Sequence, residues 1–272
     1  MLRFSANLGY LWKELELLDA IKAKKRSGFD AVEFHCPYEV SPTMVRDLLD
    51  YEGLGAIFIN TMRDKKNNES VLGAVFGKDK DMRAQIDQAI SYSKVIGCQN
   101  IHLLAGNAPQ SLRSERVYKD NLLYATEQAA SFSKNILIEV LNPLDMPGYY
   151  LNSIDRAADI ISSMGAKNLK LMFDCYHFQK MGLDSRELFK TYKSIVGHIQ
   201  IVSFPHREEP NYNTSSYIAV LDYFHDLGWS GFVGAEYSPR LGTDVGIEWL
   251  TIYKRELKQL RKKRAAELKG LH

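Results

Sequence analysis

The sequence predicts a single closed (β/α)8 barrel, the TIM barrel class. Two observations carry this: short β-branched-rich runs alternate with helical stretches at βα-unit spacing, and the alternation repeats eight times. A third weighs against an open doubly wound sheet: no Gly-x-Gly-x-x-Gly turn follows the first strand, so a dinucleotide fold has no support. A chain of 272 residues, 45% hydrophobic and 25% charged, has ample core for one large domain.

Taken in order, Leu2–Leu8 is the first strand. Leu11–Ser27 follows with helical spacing of Leu15, Leu17, Leu18 and Ile21, and stops at Gly28. Asp30–His35 is the second strand, ended by Pro37; Ser41 then caps a helix with Pro42 in its first turn, running to Gly53. Gly55–Asn60 is the third strand. Residues 61–78 are the longest irregular stretch, and loops of that length are usually functional or mobile. A helix spans Asp79–Ile96, strand four Asn100–Gly106, and a helix about Ser114–Lys134.

Strand five, Asn135–Asn142, is an apolar run closed by a carboxylate and broken by Asn142-Pro143. Ser153 caps a helix to Met164. Strand six is Leu169–His177 and its helix Ser185–Ile195. Strand seven is Gly197–Ser203, then a polar loop at 204–214, a helix at Tyr217–Leu227 and strand eight at Gly231–Ser238. Residues 1–253 are thus assigned to the barrel and 254–272 to a basic C-terminal helix or tail, read as a solvated helix packed on the barrel.

Composition narrows the function classes. A formal net charge of +2 gives no field that steers the protein to nucleic acid. No apolar run reaches the roughly 18–20 residues of a membrane span. Cys36, Cys98 and Cys175 are scattered without metal-type pairing, which points to reduced thiols in the cytoplasm; the first residues already read as a strand, not a signal peptide. Assembly into a homo-oligomer is left open.

Barrel enzymes carry their chemistry at the C-terminal ends of the strands. Glu139 closes strand five, Asp174 strand six with His177 just beyond, Gln200 stands on strand seven and Glu236 closes strand eight. Alternation puts Leu137 with Glu139, Met172 with Asp174, and Gly234 with Glu236 on shared faces, so the four polar tips converge on the barrel axis. Carboxylates gathered in one mouth raise one another's pKa, and a divalent cation removes that penalty. All-oxygen ligands suit a hard cation, Mg2+ or Mn2+ first with Co2+ also allowed, whereas Zn2+ prefers His or Cys. Glu33, ending strand two, reads as a structural ion pair, and His198 as a barrel residue.

The segments Ile138-Glu139-Val140-Leu141-Asn142-Pro143, Phe173-Asp174-Cys175-Tyr176-His177, Gly197-His198-Ile199-Gln200, Pro205-His206-Arg207 with Glu209-Pro210, and Gly234-Ala235-Glu236-Tyr237 resemble the hydroxypyruvate isomerase family of xylose-isomerase-like barrels. Leu2–Asn7, Val32-Glu33-Phe34 and Pro37-Tyr38 are similar to it too, so the likeness runs from residue 1 to about residue 253. The resemblance implies a divalent metal held by Glu139, Asp174, Gln200 and Glu236, with Glu139 and Glu236 also moving the substrate proton. It implies that His177 and Arg207 hold substrate oxygens. Ketose 3-epimerases carry His where Gln200 stands, so Gln200 resembles the hydroxypyruvate isomerase branch.

The chain departs from that pattern around the mouth. Ile59-Asn60 replaces His-Asn at the end of strand three, Ser70 stands where the family has an Arg, and Val202-Ser203-Phe204-Pro205 replaces Ala-Asp-Asn-Pro. Glu208–Thr214 replaces a glycine-rich turn. The implied cage is intact and the substrate rim is altered.

The expected reaction is aldose–ketose isomerisation of a small hydroxy-carbonyl acid, hydroxypyruvate to tartronate semialdehyde, through an enediolate with two glutamates as acid and base. A 2-oxo-tetronate isomerase or a ketose 3-epimerase is the alternative enzyme. A barrel binding protein that has lost turnover is the non-enzyme alternative, suggested by Ile59, Ser70, Ser203 and Phe204. A barrel endonuclease needs a His-rich multi-zinc cluster, and the strand ends are expected to lack the extra histidines.

Overall fold

The computed structural model describes residues 2–24, 27–61, 71–210 and 217–269. Eight parallel strands close a barrel in sequence order, with β1 hydrogen-bonded to β8. The order is β1 Arg3–Asn7, α1 Leu17–Lys24, β2 Ala31–Phe34, α2 Pro42–Glu52, β3 Gly55–Asn60, α3 Asp79–Ile96, β4 Asn100–His102, α4 Leu112–Ala130 and β5 Asn135–Glu139. It continues with α5 Ile154–Met164, β6 Leu169–Asp174, α6 Cys175–Lys180, α7 Ser185–Tyr192, β7 Val196–Ile201, α8 Tyr217–Asp226, β8 Phe232–Ala235, α9 Thr243–Gly246 and α10 Glu248–Lys269.

Most departures from the expected elements are at the C-terminal ends of strands, where the chain leaves the ladder to build the mouth. The first helix begins at Leu17 instead of Leu11. Leu11 and Trp12 are buried, but from a turn, with the Trp12 N–H on Thr243 Oγ1 at 2.8 Å and its indole N–H on Asp244 at 2.8 Å. Strand four stops at His102 because the backbone of Leu104 and Ala105 instead accepts bonds from Gly73 and Ala74. Strand six stops at Asp174, whose carboxylate accepts the Tyr176 N–H at 2.9 Å and so caps α6, the helix that carries His177.

The main core lies between the strands and the helices. Phe58, Leu137 and Met172 form a separate apolar cluster, on the faces that strand alternation turns into the barrel. Two residues further along, the same faces of β5 and β6 present Glu139 and Asp174. The expected inward alternation therefore holds, with an apolar plug under a polar mouth.

Helix α10 passes residue 253 without a break and lies against α8. Arg261 reaches Asp222 at 3.2 Å and Arg264 reaches it at 2.6 Å, so part of the basic character is neutralised by α8. Among the described residues, no helix is long and apolar enough to cross a membrane.

Candidate active site

Glu139, Asp174, His177, Gln200 and Glu236 are all buried around one mouth, with Arg207 reaching in from the turn after β7. Asp174 registers against Gln200, and Gln200 against Gly234. Burial, with the nearby charges of Glu236 and Asp174, pushes the Glu139 carboxyl well above the usual carboxylate range. Burial also pushes Asp174 up to about 7, against the lowering effect of Arg207.

Glu236 is differently placed. Its Oε1 accepts from Asn7 Nδ2 at 2.9 Å and meets His35 Nε2 at 2.8 Å, and its Oε2 accepts from Arg207. Burial works against its charge, but Arg207 and then His35 outweigh it and leave the carboxyl at about 2. Arg207 adopts φ 56°, stands 3.7 Å from Asp174 Oδ2, and lies 4.9 Å and 5.1 Å from the ring centroids of Tyr10 and Tyr176. A non-glycine residue held in this backbone region at a charged mouth stores strain that its ion pairs offset.

His35 reaches Glu236 only because residue 9 has no side chain: a Cβ there would lie 2.3 Å from the His35 ring. Gly9→Ala is expected to drive His35 off Glu236 and to destabilise the fold by about 1–3 kcal/mol, the usual scale of overpacking. Urea denaturation, with the His35 ring resonances followed by NMR, checks both effects; an unmoved ring would refute them.

Beneath the mouth, Glu33 is fully buried. It accepts from Ser5 Oγ, from His198 Nε2 at 2.8 Å, from Gln200 Nε2 at 3.3 Å and from Asn7 Nδ2 at 3.4 Å. A Cβ on residue 234 would sit 2.4 Å from its Oε1, so Gly234 makes room for it. Glu33 thus has hydrogen-bonding partners on β1 and β7, His198 among them.

The expectation that the strand ends lack further histidines is corrected. His102 ends β4, with Nδ1 at 3.1 Å from Asn60 Oδ1 and Nε2 at 3.7 Å from Glu139 Oε2. Burial pushes both His102 and His177 down to about 3. Asn7 and His35 also escaped the sequence reading. Their signal is only position, one polar residue at the end of a short strand. Among the rim residues, Ile59 belongs to the main core, so it is Asn60 that faces His102. The Ser203 hydroxyl accepts the Glu208 N–H at 3.0 Å and closes the turn that carries Arg207, and Phe204 is partly exposed. Ser70 and the 211–214 part of the altered turn lie outside the described residues.

A divalent cation fits these residues. Glu139 Oε1, Asp174 Oδ2 and Gln200 Oε1 are buried oxygens with no hydrogen-bond partner. Buried acceptors are rarely left so, and three oxygens with no donor are the complement of a hard cation. Glu139 and Asp174 bring carboxylate oxygens within 4.8 Å of each other. Glu236 differs, since both its oxygens already meet protein groups.

Residues 21–263 match the model of the family described as xylose isomerase-like TIM barrel. The chain is 39% identical over 257 residues to the 2-oxo-tetronate isomerase of Cupriavidus necator, covering 93% of this chain and 99% of that one. It is 30% identical over 258 residues to the hydroxypyruvate isomerase of Escherichia coli, covering 93% and 100%. Among solved structures, one titled AP endonuclease, family 2, from Brucella melitensis superposes with a TM-score of 0.87 at 27% identity, covering 93% and 99%.

Proposed function

The chain belongs to the xylose isomerase-like TIM barrel family, and we propose that it is a metal-dependent isomerase of small hydroxy-carbonyl acids that interconverts hydroxypyruvate and tartronate semialdehyde. The observation that carries this reading is a mouth with two buried glutamates of opposite character, Glu139 raised and Glu236 held ionised, in a chain whose relatives carry isomerase names. A second reading, 2-oxo-tetronate as the substrate, is favoured by the 39% identity to the Cupriavidus necator protein. A multi-zinc nuclease fits less well: among the described residues there is a single three-residue group able to hold a metal.

Mg2+ or Mn2+, with Co2+ as a third candidate, would be held by Glu139, Asp174 and Gln200, and by Glu236 once one of its oxygens gives up a protein partner, and would supply Lewis-acid stabilisation of charge on the substrate oxygens. The chain's own residues do the rest. One of Glu139 and Glu236 removes a proton from the hydroxymethyl carbon at a carboxylate oxygen. The other delivers a proton to the former carbonyl carbon across a flat enediolate, while the hydroxyl proton passes to the former carbonyl oxygen. His177 presents Nε2 to a substrate oxygen. Arg207, already paired with Glu236, offers its other N–H groups to the substrate carboxylate, where a planar fork suits two hydrogen bonds. Tyr10 and Tyr176 flank that guanidinium and hold its plane.

The test is interconversion of hydroxypyruvate and tartronate semialdehyde in D2O, with 2-oxo-tetronate in parallel. The expected result is turnover and solvent deuterium in the product with Mg2+ or Mn2+, abolished by EDTA and restored on adding metal back. Tight metal binding with no turnover of either acid would sink the substrate assignment.

A further inference from the structure

We infer that His102 binds the substrate hydroxyl as a hydrogen-bond acceptor, while the imidazole of His177 donates to the neighbouring carbonyl oxygen; this deepens, and rests on, the hydroxy-carbonyl isomerase reading.

The tautomers carry the inference. The backbone N–H of Asn142 points at His177 Nδ1 at 3.1 Å, and its side-chain Nδ2 lies at 2.8 Å. A backbone N–H can only donate, so Nδ1 is the acceptor and the proton of the neutral ring sits on Nε2. His102 is the reverse. Its Nδ1 faces the carbonyl oxygen of the Asn60 side chain at 3.1 Å, and a carbonyl oxygen can only accept. The proton is therefore on Nδ1, and Nε2 shows a bare lone pair.

Both Nε2 atoms are buried and have no hydrogen-bond partner. They flank one carboxyl group: His102 Nε2 is 3.7 Å from Glu139 Oε2, and His177 Nε2 is 3.9 Å from Glu139 Oε1. His102 itself is 2% exposed, so bulk water does not serve its lone pair. An N–H donor and a lone-pair acceptor on either side of a proton-moving carboxyl match a molecule with a C=O and an O–H on adjacent carbons. A plain 2-oxo acid fills only the donor. Because the tautomers differ, hydroxypyruvate is held in one orientation, its hydroxyl on His102 and its carbonyl oxygen on His177. A site built to bond a hydroxyl discriminates against the analogue that lacks one.

The experiment compares hydroxypyruvate with pyruvate, which differs only by that hydroxyl, on the Mg2+-loaded full chain, with dissociation constants from calorimetry. The wild type is expected to bind hydroxypyruvate at least about tenfold more tightly than pyruvate. His102→Phe, which keeps the flat ring but has no acceptor, should bring the ratio close to one by weakening hydroxypyruvate alone, and His102→Gln, with a carbonyl acceptor, should restore part of it. A ratio unchanged in His102→Phe overturns the inference. Imidazole 15N NMR of the wild type gives an answer that does not depend on any variant folding: an unprotonated His102 Nε2 that shifts with hydroxypyruvate and not with pyruvate supports the inference, and a protonated Nε2 overturns it. Absent turnover with the ratio still collapsing in His102→Phe would defeat the isomerase reading and leave the hydroxyl site standing. Turnover with an unchanged ratio would defeat the hydroxyl site alone.

Discussion

Glu236→Gln is expected to lower kcat by about 10³-fold, within the range that a positioned acid or base contributes. Glu236 is the carboxylate that its neighbours hold ionised: Arg207 donates to Oε2, while Asn7 and His35 meet Oε1. Glutamine keeps the shape and one acceptor but sets an amide N–H2 among those donors, and it cannot carry the substrate proton. Glu139→Gln is expected to fall by a similar factor through loss of the second carboxyl. The Mn2+ affinity of each variant, read by electron paramagnetic resonance, separates lost ligation from lost proton transfer. A kcat within tenfold of wild type in both variants would remove the two-glutamate mechanism.

The second large effect is on stability. Glu33→Ala is expected to destabilise the barrel by about 3–5 kcal/mol, the usual result of stripping one partner from a buried charged network. The Ser5, Asn7, His198 and Gln200 donors would lose their common acceptor in a place sealed from solvent. At roughly 2–4 °C per kcal/mol for a domain of this size class, Tm should drop by about 10 °C. Urea denaturation and calorimetry measure it; a loss below about 1 kcal/mol would show that Glu33 is not the keystone of the lumen. Gln200 loses its anchor as well, so weaker Mn2+ binding should accompany the loss.

Strand order and closure were legible because each β-branched run is bounded by its own turn signals and alternates with a helix. The second half of the mouth was legible because β5, β6 and β8 end in carboxylates, which have few reasons to sit beyond an apolar strand. The first half was not. Asn7, His35 and His102 are single polar residues whose role depends on what stands across the lumen, and the sequence does not display Glu236 facing Asn7 or Asn60 facing His102. The late start of α1 was hidden for a related reason: Leu11 and Trp12 satisfy a helical pattern while being buried from a turn held by Thr243 and Asp244. Pattern reports which residues are buried, not which backbone buries them.

The pairing of β1 with β8 sets a timetable for synthesis. On the ribosome the edge of β1 emerges first and its partner last, about 230 residues later, which at 5–20 residues per second is roughly 10–50 s. Over that interval the edge of Arg3–Asn7 stands open and Glu33 lacks the donors of β7. The nascent chain therefore carries an unsealed seam until its last strand arrives.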